Sequence, residues 1–340
     1  MSDNLLNVDI WNSLTGAAVQ LPHALLLAGP PGVGKRELAD ALAARLLCEA
    51  PQKAHQAACG TCPSCLMFAN GNHPDFRLLQ PDAAAEGEEE APVADEGKKK
   101  ASKQIRIGQI REIEDFFHVG GHRGGARVCL IDPAETMNAI SANSLLKILE
   151  EPSVSFYFIM ISHRWHHLLP TLLSRSRRVM FGRPAQEQAK RWLAERQLAE
   201  HAKWLPFFGH APLEVADAAK SGRLKALDAL VADLLGPSEP LAQAARWEGL
   251  VNKADAALGM EDLVLTVQKW LFDLSRLAVG APARYFPQAA LHRRAQQLSL
   301  PALMQAQRQV GQLRAWANHP LNPRLFLEDL CLRAFAPLKP

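Results

Sequence analysis

No stretch of the chain approaches the ~20 uninterrupted apolar residues that a membrane span requires; its most apolar runs, such as Phe156 to Ile161, have the length of strands. A membrane-spanning protein is excluded on that reading. Charge of one sign is equally scarce, since 38 Lys and Arg against 35 Asp and Glu leave a formal charge of +3. Whole-molecule attraction to nucleic acid is therefore not expected, and any DNA contact must come from local patches. Residues 1–11 carry Asp3, Asn4 and Asp9 and have no basic segment leading into an apolar run, so they do not read as a signal peptide. A cytoplasmic location is expected. Cysteine is sparse outside one place: Cys129 and Cys331 stand alone, whereas Cys48, Cys59, Cys62 and Cys65 gather. In a reducing compartment such a cluster points to metal before disulfides. What is present is ordinary for a globular chain of two to three domains, 340 residues at 48% hydrophobic and 21% charged, with an Ala and Leu richness that favours helix.

Short apolar runs bounded by Gly, Pro, Ser or charge predict five strands, at His23–Ala28, Phe76–Leu79, Arg127–Ile131, Phe156–Ile161 and Arg178–Phe181. Between them, apolar residues recur at helical spacing over Lys35–Leu47, Ile105–His118 and Ser141–Glu150. Strand and helix in alternation predict a parallel sheet covered on both faces. Residues 82–103 change character: Glu86, Glu88, Glu89 and Glu90 precede Lys98, Lys99 and Lys100, with nothing apolar larger than Val93. That composition predicts a flexible charged insertion at the surface, without chemistry. After Arg183-Pro184 the strand signals stop, and Gln186–Leu198, Pro212–Ser221 and Leu224–Leu235 read as three short helices. A breaker cluster from Gly236 to Pro240 separates these from further helices, among them Met260–Val279 and Leu300–Asn318. The expected domains are 1–182, 183–235 and 236–340.

The first predicted strand runs into Gly29-Pro30-Pro31-Gly32-Val33-Gly34-Lys35-Arg36, and a helix follows at once. In a phosphate loop the glycines let backbone N–H groups converge on phosphate oxygens, the helix N-terminus adds its positive end, and the lysine neutralises the outer phosphates. Gly29, Pro30, Gly32, Gly34 and Lys35 are the candidate nucleotide-binding residues, in degenerate form. The residue after the lysine should carry a hydroxyl to ligate Mg²⁺, and here it is Arg36. The second half of such a site is a strand ending in an acid, supplied by Asp132 after Val128-Cys129-Leu130-Ile131. Pro133 follows where a glutamate usually orients the attacking water, and Glu135, two residues on, is not expected to point the same way. Hydrolysis is not expected, ATP binding is left open, and no Mg²⁺ site is expected.

Cys59, Cys62 and Cys65 repeat every third residue, and Cys48 at the end of the preceding helix can add a fourth thiolate. Four thiolates suit tetrahedral Zn²⁺ in a closed structural site with no open position for water. A disulfide pair and an iron–sulfur cluster are the competing readings. His55 could stand in for a thiolate, but four cysteines make that unnecessary.

Taken together these motifs resemble the clamp-loader subunits of bacterial DNA polymerase III, a family of the AAA+ class. The resemblance rests on Leu21-Pro22-His23-Ala24, the four-cysteine module after the loop's helix, His73-Pro74-Asp75, the run from Ala142 to Pro152 that reads ANSLLKILEEP, and Leu172-Leu173-Ser174-Arg175-Ser176-Arg177. It implies an α/β AAA+ module, with a parallel five-stranded sheet and helices on both faces, carrying the inserted zinc module at 48–65 and followed by a helical lid and an all-helical collar. It also implies a five-subunit ring with gamma/tau-type ATPase subunits and a delta subunit, acting on primed DNA without sequence specificity and touching the sliding clamp weakly or indirectly. Arg175 takes the place of the family's arginine finger, which reaches in trans into a neighbour's ATP site; Ser176 stands where the family has Cys. On residue types alone Arg175, Arg177 and Arg178 read as a solvated basic edge. The lid segment from Gly209 to Glu214 has no sensor arginine, in keeping with a silent site. His163, His166 and His167 around Trp165 are expected to be exposed loop histidines without a role.

The leading expectation is a non-hydrolysing scaffold whose chemistry is done in a neighbour. The alternative is an active ATPase subunit of the gamma/tau type, against which Arg36, Pro133 and the missing lid arginine count. A stand-alone zinc-knuckle nucleic-acid binder is a third, but Gly60, Thr61, Pro63 and Ser64 offer neither basic nor aromatic contacts.

Overall fold

A computed structural model of the chain describes residues 6–17, 20–50, 53–81, 104–118, 125–151, 155–236, 239–251, 258–317, 319 and 321–338; the charged segment 82–103 lies outside them. Two units are formed, residues 1–184 and 185–340. The first runs α1 (Val8–Thr15), β1 (Ala24–Ala28), α2 (Lys35–Leu47), α3 (Pro63–Ala69), β2 (Phe76–Leu79), α4 (Ile107–His118), β3 (Arg127–Ile131), α5 (Ala139–Glu150), β4 (Phe156–Ser162), α6 (Pro170–Arg175) and β5 (Arg177–Met180). The strands form one parallel sheet in the order β2-β3-β4-β1-β5.

Position in the sheet follows from composition. β1 and β3 are buried at every residue, as interior strands covered on both faces must be. The outer strand β5 instead exposes Arg177, Arg178 and Met180, and charge on an edge discourages pairing with another chain. One face of the sheet, through Leu26, Ile131, Phe158 and Met160, packs with Ile110 and Ile113 of α4 and Leu145 and Ile148 of α5. α2 contacts β1, β3 and β4 and buries Leu38, Ala39, Leu42 and Ala43. Arg127 opens β3 almost wholly buried, and its charge is met by the carbonyls of Phe116 and Phe117 at 2.8 and 3.0 Å and by the Phe156 ring 5.2 Å away. This is the expected α/β module with a parallel five-stranded sheet, and the cysteine module is inserted between α2 and β2.

The second unit is helical: α7 (Gln186–Glu195), α8 (Pro212–Lys220), α9 (Arg223–Leu235), α10 (Pro240–Val251), α11 (Met260–Ala278), α12 (Gln288–Gln296), α13 (Leu300–Leu313) and α14 (Pro323–Phe335). α10 packs on α14 and α11 on α12 and α13, burying Trp247, Trp270 and Phe335 at their meeting. Asp273, fully buried on α11, accepts N–H bonds from Arg284, Tyr285 and Phe286 and so fixes the loop before α12.

Several elements depart from expectation, among them α3 and α6, where no helix was predicted, and α7, which ends at Glu195 and not at Leu198. α1 is a helix that the spacing did not announce. Ile105 is not helical but forms a single parallel bridge with Met137, its N–H satisfied by Thr136. α13 ends at Leu313, and residues 314–317 continue as turns.

Candidate functional site

The loop between β1 and α2 has the conformation its glycines permit. A Cβ on Gly29 would lie 2.4 Å from the Phe181 carbonyl oxygen, so no side chain fits there. Gly34 caps α2 in the left-handed region at φ +90, which L side chains avoid. Lys35 opens the helix with only 3% of its surface exposed, its Nζ donating to the carbonyl of Gly29 at 2.8 Å and to that of Pro30. Pro30, Gly32 and Gly34 complete the loop around it. From the N-terminal side Asn7 Nδ2 donates to Val33 O at 2.6 Å. That brace escaped sequence reasoning, because an isolated Asn before an uncapped helix carries no pattern.

Arg36 reaches across to the end of β3. Its Nη1 lies 2.9 Å from Asp132 Oδ2, and its Nε donates to both oxygens of Asp40 at 2.9 and 3.0 Å. The carboxylate that would help hold Mg²⁺ in such a loop thus has a guanidinium against it, and a guanidinium cannot ligate a cation. The residues present do not fit the metal. Glu135 uses Oε1 to accept the N–H groups of His163 and Arg164 at 2.9 and 3.1 Å, so it orders the backbone after β4.

That contact corrects the expectation for His163. His166 is exposed and stacked on Trp165, and His167 is exposed, but His163 is half-buried with its Nδ1 covered. Burial first, and then the nearby Lys35 ammonium, hold its imidazole below the ordinary histidine range, so it is neutral at pH 7. The cause is topological: the loop after β4 is drawn onto the end of the sheet, beside the phosphate loop.

Arg175 is the last residue of α6, 36% exposed, at the start of the β5 edge. Its guanidinium is ion-paired with Glu150 at the end of α5 and lies 3.4 Å from Thr171 O. Ser176, in the cysteine position of the family pattern, donates to Leu172 O at 2.8 Å and closes the helix. Arg178 stacks 4.3 Å over Trp165, so the basic edge is partly packed.

The four cysteines converge. Their Sγ atoms lie within 4.8 Å of one another, with Cys48 to Cys62 at 4.0 Å and Cys59 to Cys65 at 3.9 Å. A Zn–S bond of about 2.3 Å gives a tetrahedron with edges of about 3.8 Å, so the donor set fits. No pair is joined, and such separations are well beyond a disulfide bond. His55 is not in the group. The N–H groups of Cys59, Cys62 and Cys65 each donate to the Sγ of an earlier cysteine at 3.4 Å, the arrangement that stabilises thiolate. Thr61 and Cys62 backbone N–H groups hold the Cys59 thiol down to about 6, while burial pushes Cys65 up to about 12; a bound cation would deprotonate both. Behind the cluster, Asp75 N donates to His73 Nδ1, which leaves Nε2 to donate to Ser64 Oγ, and that hydroxyl donates to Leu47 O. The relay ties the cysteine module to the end of α2.

Residues 10–185 match the family described as DNA polymerase III, delta subunit. The subunit delta' of DNA polymerase III from Pseudomonas aeruginosa is 40% identical over 185 residues, 54% of this chain and 50% of that one. That of Escherichia coli is 32% identical over 172 residues, 51% of this chain and 46% of that one. The match thus spans about half the length of these relatives. A solved DNA polymerase III gamma subunit-related protein of Thermotoga maritima is 17% identical with a TM-score of 0.43, over 94% of this chain and 95% of that one. The phosphate loop, the cysteine centre, Asp132 and Arg175 all fall within the matched residues, and the chain belongs to the DNA polymerase III delta-subunit family.

Proposed function

We propose that the chain is a non-hydrolysing clamp-loader subunit of the delta-prime type, which helps place a sliding clamp on primed DNA during replication. The observation that carries this is the Arg36–Asp132 ion pair at 2.9 Å, which puts a fixed cation where an active subunit would hold Mg²⁺. Pro133 stands after that carboxylate, and Glu135 spends Oε1 on backbone N–H groups, which supports the absence of a glutamate placed to orient an attacking water. Its chemical contribution is made in trans by Arg175, whose forked guanidinium can stabilise phosphoryl charge in a neighbouring subunit. Residues 183–235, all but the first two in the second unit, serve as lid and 236–340 as collar. Gamma/tau-type ATPase subunits and a delta subunit complete the ring, in the cytoplasm, and the zinc centre is structural. DNA contact is phosphate-directed. The active gamma/tau-type reading is supported by Lys35 and Asp132, which stand where an ATPase needs them, but not by Arg36.

Omission tests the role. Clamp loading onto primed DNA by a complex reconstituted from the other subunits is expected to fall to background without this chain and to return when it is added. Full loading in its absence would refute the assignment.

A further inference from the structure

Two cations of fixed position flank the phosphate loop. Lys35 is buried against the loop's own carbonyls, and Arg36 is clamped between Asp40 and Asp132 through Nε and Nη1. Its Nη2 has no partner among the described residues. Around the same loop two polar atoms able to donate are buried and unbonded: His163 Nδ1, near Lys35, and Oγ of the fully buried Ser162, whose carbonyl accepts the Gly29 N–H. Buried polar atoms are normally paired, and their gathering about one loop marks it as built for a polar ligand.

We propose that Arg36 is a built-in cation in the metal's place, and that the loop takes a polyphosphate chain in its metal-free form. The inference rests on reading residues 29–35 as a phosphate loop; it is independent of whether the chain hydrolyses ATP. The loop's N–H groups, Lys35 Nζ and Arg36 Nη2 together meet the extra negative charge of a triphosphate stripped of Mg²⁺. An Mg²⁺ carried in with the ligand would lie against the guanidinium, and like charges at that range repel strongly in a half-buried site. Metal should therefore weaken binding, the reverse of an Mg²⁺-dependent loop.

The test is calorimetric titration of ATP, and separately of inorganic tripolyphosphate, into the full chain in EDTA and in excess Mg²⁺. Both probes are expected to bind in EDTA and to bind severalfold more weakly with Mg²⁺; binding of ATP alone would still support the proposal and add a contribution from the nucleoside. Arg36→Thr places a hydroxyl at the metal-ligand position and is expected to invert the order, losing about tenfold in EDTA and regaining affinity with Mg²⁺. Should that variant not fold, Arg36→Lys keeps the charge and is expected to keep the preference for the metal-free ligand. Wild-type binding that requires Mg²⁺, or no binding of either probe in EDTA, overturns the proposal. ATP turnover in the same samples would refute the silent-subunit reading instead, so the two failures are distinguishable.

Discussion

Arg175→Ala is expected to leave the clamp-loader complex assembled while lowering single-turnover ATP hydrolysis at the adjoining subunit by about 10³-fold or more, the scale on which arginine fingers act. Arg175 lies on the exposed edge of the first unit and supports no buried contact, since its partners are Glu150, also half-exposed, and the Thr171 carbonyl. Removing it should cost the fold little. Steady-state turnover of the whole complex should fall less than the single-turnover rate, by the share of the one site that receives the finger. Arg175→Lys keeps a charge without the planar fork and should recover little. Quench-flow measurement on gel-filtered complexes checks both variants, and an unchanged rate in a complex of normal composition would remove the finger.

Loss of the metal should be felt through α2. This helix begins in the phosphate loop at Lys35 and ends at Leu47, immediately before Cys48 of the cysteine cluster, so a metal held by that cluster would pin the far end of the helix that carries the loop. Thiolate zinc sites are worth about 10–16 kcal/mol in small peptides that have little else to fold around. The first unit has its own sheet core, so Cys62→Ser should release zinc and melt the cysteine module locally, at a cost of about 3 kcal/mol. That corresponds to a fall in Tm of roughly 6–12 °C for a unit of this size. Metal analysis with thermal unfolding checks it, and limited proteolysis should cut between Cys48 and His73 in the variant alone. A variant equally stable and fully loaded with zinc would refute the staple.

The strands and the helix after the phosphate loop were legible because each answers to a local rule. Strand runs are apolar and bounded by breakers, and α2 occupies Lys35–Leu47 as its spacing predicts. The cysteine cluster was legible for a similar reason, since three of its thiols lie three residues apart and the fourth directly follows the adjoining helix. α1 was not, because its eight residues have no side-chain cap and Trp11 is held by a partner distant in sequence, its Nε1 donating to His55 O. The Arg36–Asp132 pair joins residues 96 apart. The mismatch with Mg²⁺ could be read from Arg36 alone, but that its guanidinium fills the place of the metal depends on α2 lying across β3 and β4. His163 misled for the same reason: a polar run around Trp165 reads as exposed, and only the fold brings it under Glu135 and beside Lys35.

On the proposed function, this chain does its chemistry in a neighbour. The most direct test is steady-state ATP hydrolysis by the purified chain with Mg²⁺ and primed DNA, beside the same chain mixed with a gamma/tau-type ATPase subunit. No turnover by the chain alone is expected, with stimulation of the partner in the mixture that Arg175→Ala abolishes. Turnover by the chain alone that disappears in Lys35→Ala would contradict the proposed function.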